Sequence, residues 1–166
     1  MRRLIWPVLF LLLIVIQGSL SVFYNGWLAA DLSLLAIYSY ALLRGEQYGT
    51  IIGACVGLLQ DAMTVGIFGF HIFTRGAIGY IVGLTKDKVF KDNAQYHIMF
   101  IGLCSLMIRV CYLFLELIRS SWHIEILPVF LYDTVGYCLG NMLLVVPMVC
   151  FIKKIYLWIK KEDISY

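Results

Sequence analysis

Residues 48–84 read YGTIIGACVGLLQDAMTVGIFGFHIFTRGAIGYIVGL, two glycine-rich apolar runs joined by a short hinge. Gly49, Gly53 and Gly57 recur every four residues, so on a helix they form one ridge without side chains; Gly79 and Gly83 repeat the spacing in the second run. Lipid tails give helices no hydrophobic reason to associate, and close backbone approach through small residues supplies the attraction instead. The stretch therefore predicts a helical hairpin in a membrane whose glycine ridge packs closely on another span of this chain or on a different protein, its first run ending at Gln60-Asp61 and its second interrupted by Arg75. A charge at bilayer depth costs at least about 2.5 kcal/mol on insertion scales, so it is paired or faces a polar cavity. Asp61 with Arg75 is the expected pair, because the short linker holds those helix ends near each other.

The rest of the chain fits a membrane reading. Of 166 residues, 62% are apolar and 14% charged, with a mean hydropathy of +0.89; soluble domains carry about a quarter charged residues. A 19.0 kDa globule has too little interior for this much apolar surface, and the surplus faces lipid. Apolar runs at about 4–23, 28–43, 48–61, 65–84, 96–118 and 126–152 predict an all-α bundle of six transmembrane helices, with a basic interfacial tail at 153–166. Residues 1–166 then form a single transmembrane domain with no room for a separate soluble one. Arg2 and Arg3 before the first run resemble the start of a signal peptide, but no small-x-small cleavage site sits directly behind it, so the run reads as a retained span.

Sidedness follows from the cations. With the amino end inside, Arg2, Arg3, Arg44, Lys86, Lys88, Lys91, Lys153, Lys154, Lys160 and Lys161 are cytoplasmic, ten of the 13 Lys and Arg residues. That skew places both termini in the cytoplasm. Trp6, Trp27, Trp122 and Trp158 fall at span ends or flanks, where amphipathic rings favour the headgroup layer. The tail alternates cations with Ile155, Tyr156, Leu157, Trp158 and Ile159, a pattern that continues the last helix into the inner interface and attracts anionic lipid.

Several function classes drop out. A net charge of +3, small and dispersed, is no footprint for nucleic acid. Cys55, Cys104, Cys111, Cys138 and Cys150 lie in apolar runs without a CxxC pair, and His71, His97 and His123 lie in different segments, so no disulfide framework, metal or cofactor is expected. No phosphate-cradling loop, zinc-binding helix or nucleophile elbow is present. The acids at membrane depth are single and scattered: Asp31, Asp61, Glu116 and Asp133, with Arg75 and Arg109 beside them in sequence depth. Arg109 and Glu116 are seven apart and share a helix face. Toward the outer side these groups have Arg75 and Arg119 as possible partners. They pin helix ends, dock a partner, or line a ligand or ion site.

Asp31-Leu32, Leu42-Leu43-Arg44-Gly45, Gly53 through Gly57-Leu58-Leu59-Gln60-Asp61, Gly69-Phe70 and Gly79-Tyr80, taken in this order, resemble the rod shape-determining protein MreD family across roughly residues 28–90. A proline often precedes the Asp-Leu of that family; here the residue is Ala30. The resemblance implies a non-catalytic membrane scaffold of wall elongation in the cytoplasmic membrane of a rod-shaped bacterium. It implies a single-span partner, MreC, and through it the synthase RodA, its penicillin-binding transpeptidase and, indirectly, MreB filaments. The ridge Gly49, Gly53 and Gly57, with Asp61 at its outer end, is the expected MreC face. The family also resembles the substrate-binding subunits of vitamin uptake transporters in outline. A vitamin- or metal-transporter subunit is therefore the alternative, and it predicts an outer pocket lined by Asp31, Asp61, Arg75 and Asp133.

Overall fold

The computed structural model describes residues 5–23, 30–64, 66–86, 93–119 and 127–163. Among these are six helices and no strand: α1 (Ile5–Phe23), α2 (Leu32–Arg44), α3 (Glu46–Met63), α4 (Phe70–Gly83), α5 (Ala94–Arg119) and α6 (Leu127–Asp163). Arg2, Arg3, Trp27, Lys88, Lys91 and Trp122, which carried part of the sidedness and interface reading, lie outside the described residues.

The centre of the bundle is α2, which touches α1, α3, α4 and α6. Every residue from Ser33 to Leu42 is buried. Its 13 residues span on the order of 20 Å, shorter than a hydrocarbon core of about 30 Å. The helix starts at Leu32, not at 28 as the hydropathy suggested. Ala30 and Asp31 are not helical, and Asp31, in extended backbone geometry, caps the first turn by accepting from the Leu34 N–H at 2.9 Å. At the other end Gly45 has φ 93 and donates its N–H to the Ala41 carbonyl, so the chain reverses through one residue straight into α3. A side chain there would be strained, which explains the Arg-Gly at this turn.

Against this centre α3 and α4 form the predicted hairpin. A Cβ at Gly49 would overlap the Gly79 carbonyl, one at Gly53 the Arg75 carbonyl, one at Gly57 the His71 carbonyl, and one at Gly83 the Glu46 backbone. The two backbones thus touch along most of their length. Helix α4 begins at Phe70 and not near 65, because residues 66–69 form a turn that ends in Gly69 at φ 94. The ridge is therefore taken up inside the chain, by α4.

The second hairpin, α5 with α6, is built differently. Among the described residues, Ala94–Arg119 and Leu127–Lys161 are the two helices long and apolar enough to cross a membrane, and only 22% and 28% of their apolar windows are covered by the rest of the chain. Leu103, Met107, Val110 and Phe114 on α5 and Val135, Leu139 and Leu143 on α6 are exposed, as lipid-facing side chains are. Helix α6 continues unbroken through the basic segment to Asp163, on the order of 55 Å in all. Helix α1 lies on α2 through Trp6 and Phe10, whose rings meet Tyr40 edge-on at 4.7 and 5.7 Å, and through Gln17, which accepts from the Ser33 N–H and Oγ at 3.1 and 2.9 Å.

Candidate functional site

A polar knot sits at the amino end of α2. There the Asp31 carboxylate does two jobs. One oxygen caps α2 through the Leu34 N–H; the other accepts from Arg75 Nη2 of α4 and from the Tyr137 hydroxyl of α6 at 3.0 Å. Its backbone N–H donates to Asn141 Oδ1 at 2.7 Å, and Asn141 Nδ2 donates on to Ser105 Oγ of α5 at 2.9 Å. Arg75 Nε donates to Gln60 Oε1 of α3 at 3.0 Å. Asp31, Arg75, Asn141, Ser105 and Gln60 are all buried. One cluster therefore draws on five of the six helices, all but α1.

The physics of the knot is that of a lock. Two opposite charges away from water attract strongly, yet their desolvation cost cancels much of the gain, so the pair contributes little net stability. Removing one partner is another matter: it strands the other charge at a cost of about 3–5 kcal/mol. The network fixes which helices sit together more than it tightens the whole. One guanidinium nitrogen, Arg75 Nη1, is buried without a hydrogen-bond partner among the described residues.

Asp61 works elsewhere. From the last turn of α3 it accepts the N–H groups of Gly69, His71 and Ile72 at 3.0, 3.1 and 3.1 Å and contacts His71 Nδ1 at 2.8 Å. These are the donors that a helix leaves unpaired at its start, so the carboxylate of one helix caps the next and sits at the positive end of its dipole. Beside the knot, Arg109 donates from Nε to Thr134 Oγ1 at 3.2 Å and lies over the rings of Phe130 and Tyr137, 4.7 and 5.4 Å from their centres. Glu116 pairs with Arg119 one turn away at 3.6 Å on the surface, a contact that contributes little. Asp133 is exposed on α6. Toward the other end, Tyr38 and His97, both buried, are joined by a bond of 2.9 Å between the hydroxyl and Nδ1.

A family described as rod shape-determining protein MreD matches residues 1–159. The chain belongs to the MreD family. It is thus a membrane protein of rod shape determination, from a family of structural proteins not known as enzymes. No curated protein and no solved structure matches the chain significantly.

Within this MreD-family chain three expectations change. The Asp61–Arg75 pair does not form: α2 brings Asp31 to Arg75 first, and Asp61 is consumed by the start of α4. The pocket expected from Asp31, Asp61, Arg75 and Asp133 is not assembled either. Asp31 and Arg75 satisfy each other, Asp61 turns toward α4, and Asp133 is exposed. The ridge Gly49, Gly53 and Gly57 is not an open face for an MreC-like partner, since α4 covers it. Arg109 and Glu116 share a helix but have separate partners.

Sequence reasoning passed over Tyr137, Asn141 and Ser105, and it gave His71 and His97 no neighbours. Asn141 carried a signal: it is the one carboxamide in the apolar stretch 127–152, and an amide at that depth needs a partner. Tyr137 carried none, because tyrosine is at home in apolar helices.

Proposed function

We propose that this chain is a six-span, non-catalytic scaffold with both termini in the cytoplasm. In this reading it holds an MreC-like single-span protein beside the wall synthase RodA and its transpeptidase, and through them connects to MreB. The observation that carries the reading is the knot around Asp31. It joins helices from the amino-terminal, middle and carboxy-terminal parts of an MreD-family chain into one block, as a part that positions other proteins needs to be. Arg75 Nη1 apart, its polar groups are spent on one another, which suits a structural part better than a catalytic one.

With the glycine ridge covered, a partner helix in this reading docks on the outer part of α6, where an acid stands among the exposed apolar residues. There Asp133 is exposed beside Val129, Leu131, Tyr132 and Val135. A carboxylate on a lipid-facing surface is costly, and a partner helix bearing a cation or hydrogen-bond donors would relieve that cost. Co-purification of an MreC-like partner with Asp133→Leu tests this face. The expected result is loss of the partner from a protein that still elutes as one species. Undiminished recovery would rule the face out. Reporter fusions after Tyr166 test the topology and should report from the cytoplasm.

A further inference from the structure

At the other end of the bundle a cavity of about 370 Å³ opens between the carboxy-terminal half of α2, the first turns of α5 and the second half of α6. That size lies within the roughly 300–1,000 Å³ typical of small-molecule sites. Ser39, Leu42 and His97 form its buried floor, Val146 and Val149 its wall, and Lys153, which is exposed, its rim. The polar atoms of the floor are already engaged. Ser39 Oγ donates to the Leu35 carbonyl at 2.7 Å, and His97 Nδ1 meets the Tyr38 hydroxyl. What the cavity offers an occupant is therefore apolar surface inside and an ammonium at the mouth.

The surroundings of the rim have the same character. Arg44 lies 4.9 Å over the Tyr48 ring and 6.0 Å from that of Tyr156, one turn beyond Lys153. Lys86 packs beside Gly45 at the end of α2, and Lys154 is exposed next to Lys153. Trp6 and Tyr40 stack edge-on at this same end of α1 and α2. Cations interleaved with large aromatic rings mark the headgroup level of a bilayer. A neutral hydrocarbon matches only the apolar interior, and a small anion matches only the cations gathered at this end, Arg44, Lys86, Lys153 and Lys154. An occupant using both has an anionic head and a hydrocarbon tail.

We propose that this cavity holds one acyl chain of an anionic phospholipid, with the lipid phosphate resting on Lys153. The site is separate from the knot at Asp31 and from the outer face of α6, and it requires a membrane location but no scaffold role. It makes the chain a reader of lipid composition in one leaflet.

Native mass spectrometry of the full chain in detergent tests this. The probes are phosphatidylglycerol, phosphatidylcholine with the same acyl chains, and inorganic phosphate. The expected result is one retained phosphatidylglycerol per chain, about tenfold preferred over phosphatidylcholine, with no displacement by inorganic phosphate. Lys153→Gln should erase the preference, and Lys153→Arg should keep it. Val149→Trp should fill the cavity and abolish retention of both lipids. Because residue 153 is exposed, its variants report even if the tryptophan variant does not fold. Equal retention of the two lipids, displacement by inorganic phosphate, or a preference unchanged in Lys153→Gln would each overturn the proposal.

Discussion

In the α3–α4 hairpin the closest neighbours are backbone atoms: Gly53 lies against the Arg75 carbonyl and Gly57 against that of His71. In the α5–α6 hairpin the corresponding glycine, Gly102, faces the side chain of Met142, with the sulfur 3.1 Å from where a Cβ would sit. Both pairs are antiparallel neighbours in one bundle, yet they obey different rules. A backbone carbonyl in a helix has nowhere to go, whereas a methionine has three rotatable bonds and re-seats itself at little cost. The first hairpin sets distances; the second adjusts to them.

The largest effect expected from this contrast is that of Gly53→Leu, which drives four carbons into a contact where even one does not fit. A loss of more than about 4 kcal/mol is expected, seen as disappearance of the single species in size-exclusion chromatography in detergent. A variant that melts near the wild type would show that the two helices stand farther apart than described. Next comes Asp31→Ala, which strands Arg75 and frees the Tyr137 hydroxyl. A cost of about 3–5 kcal/mol is expected, and Asp31→Leu with Arg75→Met should recover part of it in a denaturation series. If the double change is as damaging as the single ones together, the charges do not act as a pair.

Asp61→Ala removes a cap and not a charge pair, so about 1–2 kcal/mol is expected, with hydrogen exchange rising at the first turn of α4 and little change at α2. Protection lost equally at both helices would mean that Asp61 belongs to the knot after all. Smallest is Gly102→Ala. The crowding of Met142 is offset by the roughly 1 kcal/mol that alanine gains over glycine within a helix, and the melting temperature should stay within a few degrees. A collapse like that of Gly53→Leu would abolish the distinction between the hairpins.

Much of this was legible in the amino-acid order. The four-residue glycine spacing called for close helices, and Arg44-Gly45 marked the reversal that φ 93 at Gly45 requires. The continuation of the last helix into the basic tail follows from the unbroken alternation of cations and apolar residues up to Lys161. The partner of Arg75 was not legible. Nearness along the chain favoured Asp61, 14 positions back, but a helix start needs an anion just as a guanidinium does, and three backbone donors at α4 outcompeted it. The start of α2 was displaced for a related reason. Apolar Leu28-Ala29-Ala30 reads as span, while the capping geometry of Asp31 ends the helix below it.

The knot around Asp31 also dictates how late the fold can close during synthesis. Asp31 emerges from the ribosome 44 residues before Arg75, 106 before Tyr137 and 110 before Asn141. Until those arrive, its carboxylate and backbone amide have only local or borrowed partners. The helix that ends up innermost is thus the one whose final seat must wait for nearly the whole chain, and a chain cut short before α6 would leave Asp31 without the Tyr137 hydroxyl and the Asn141 carboxamide.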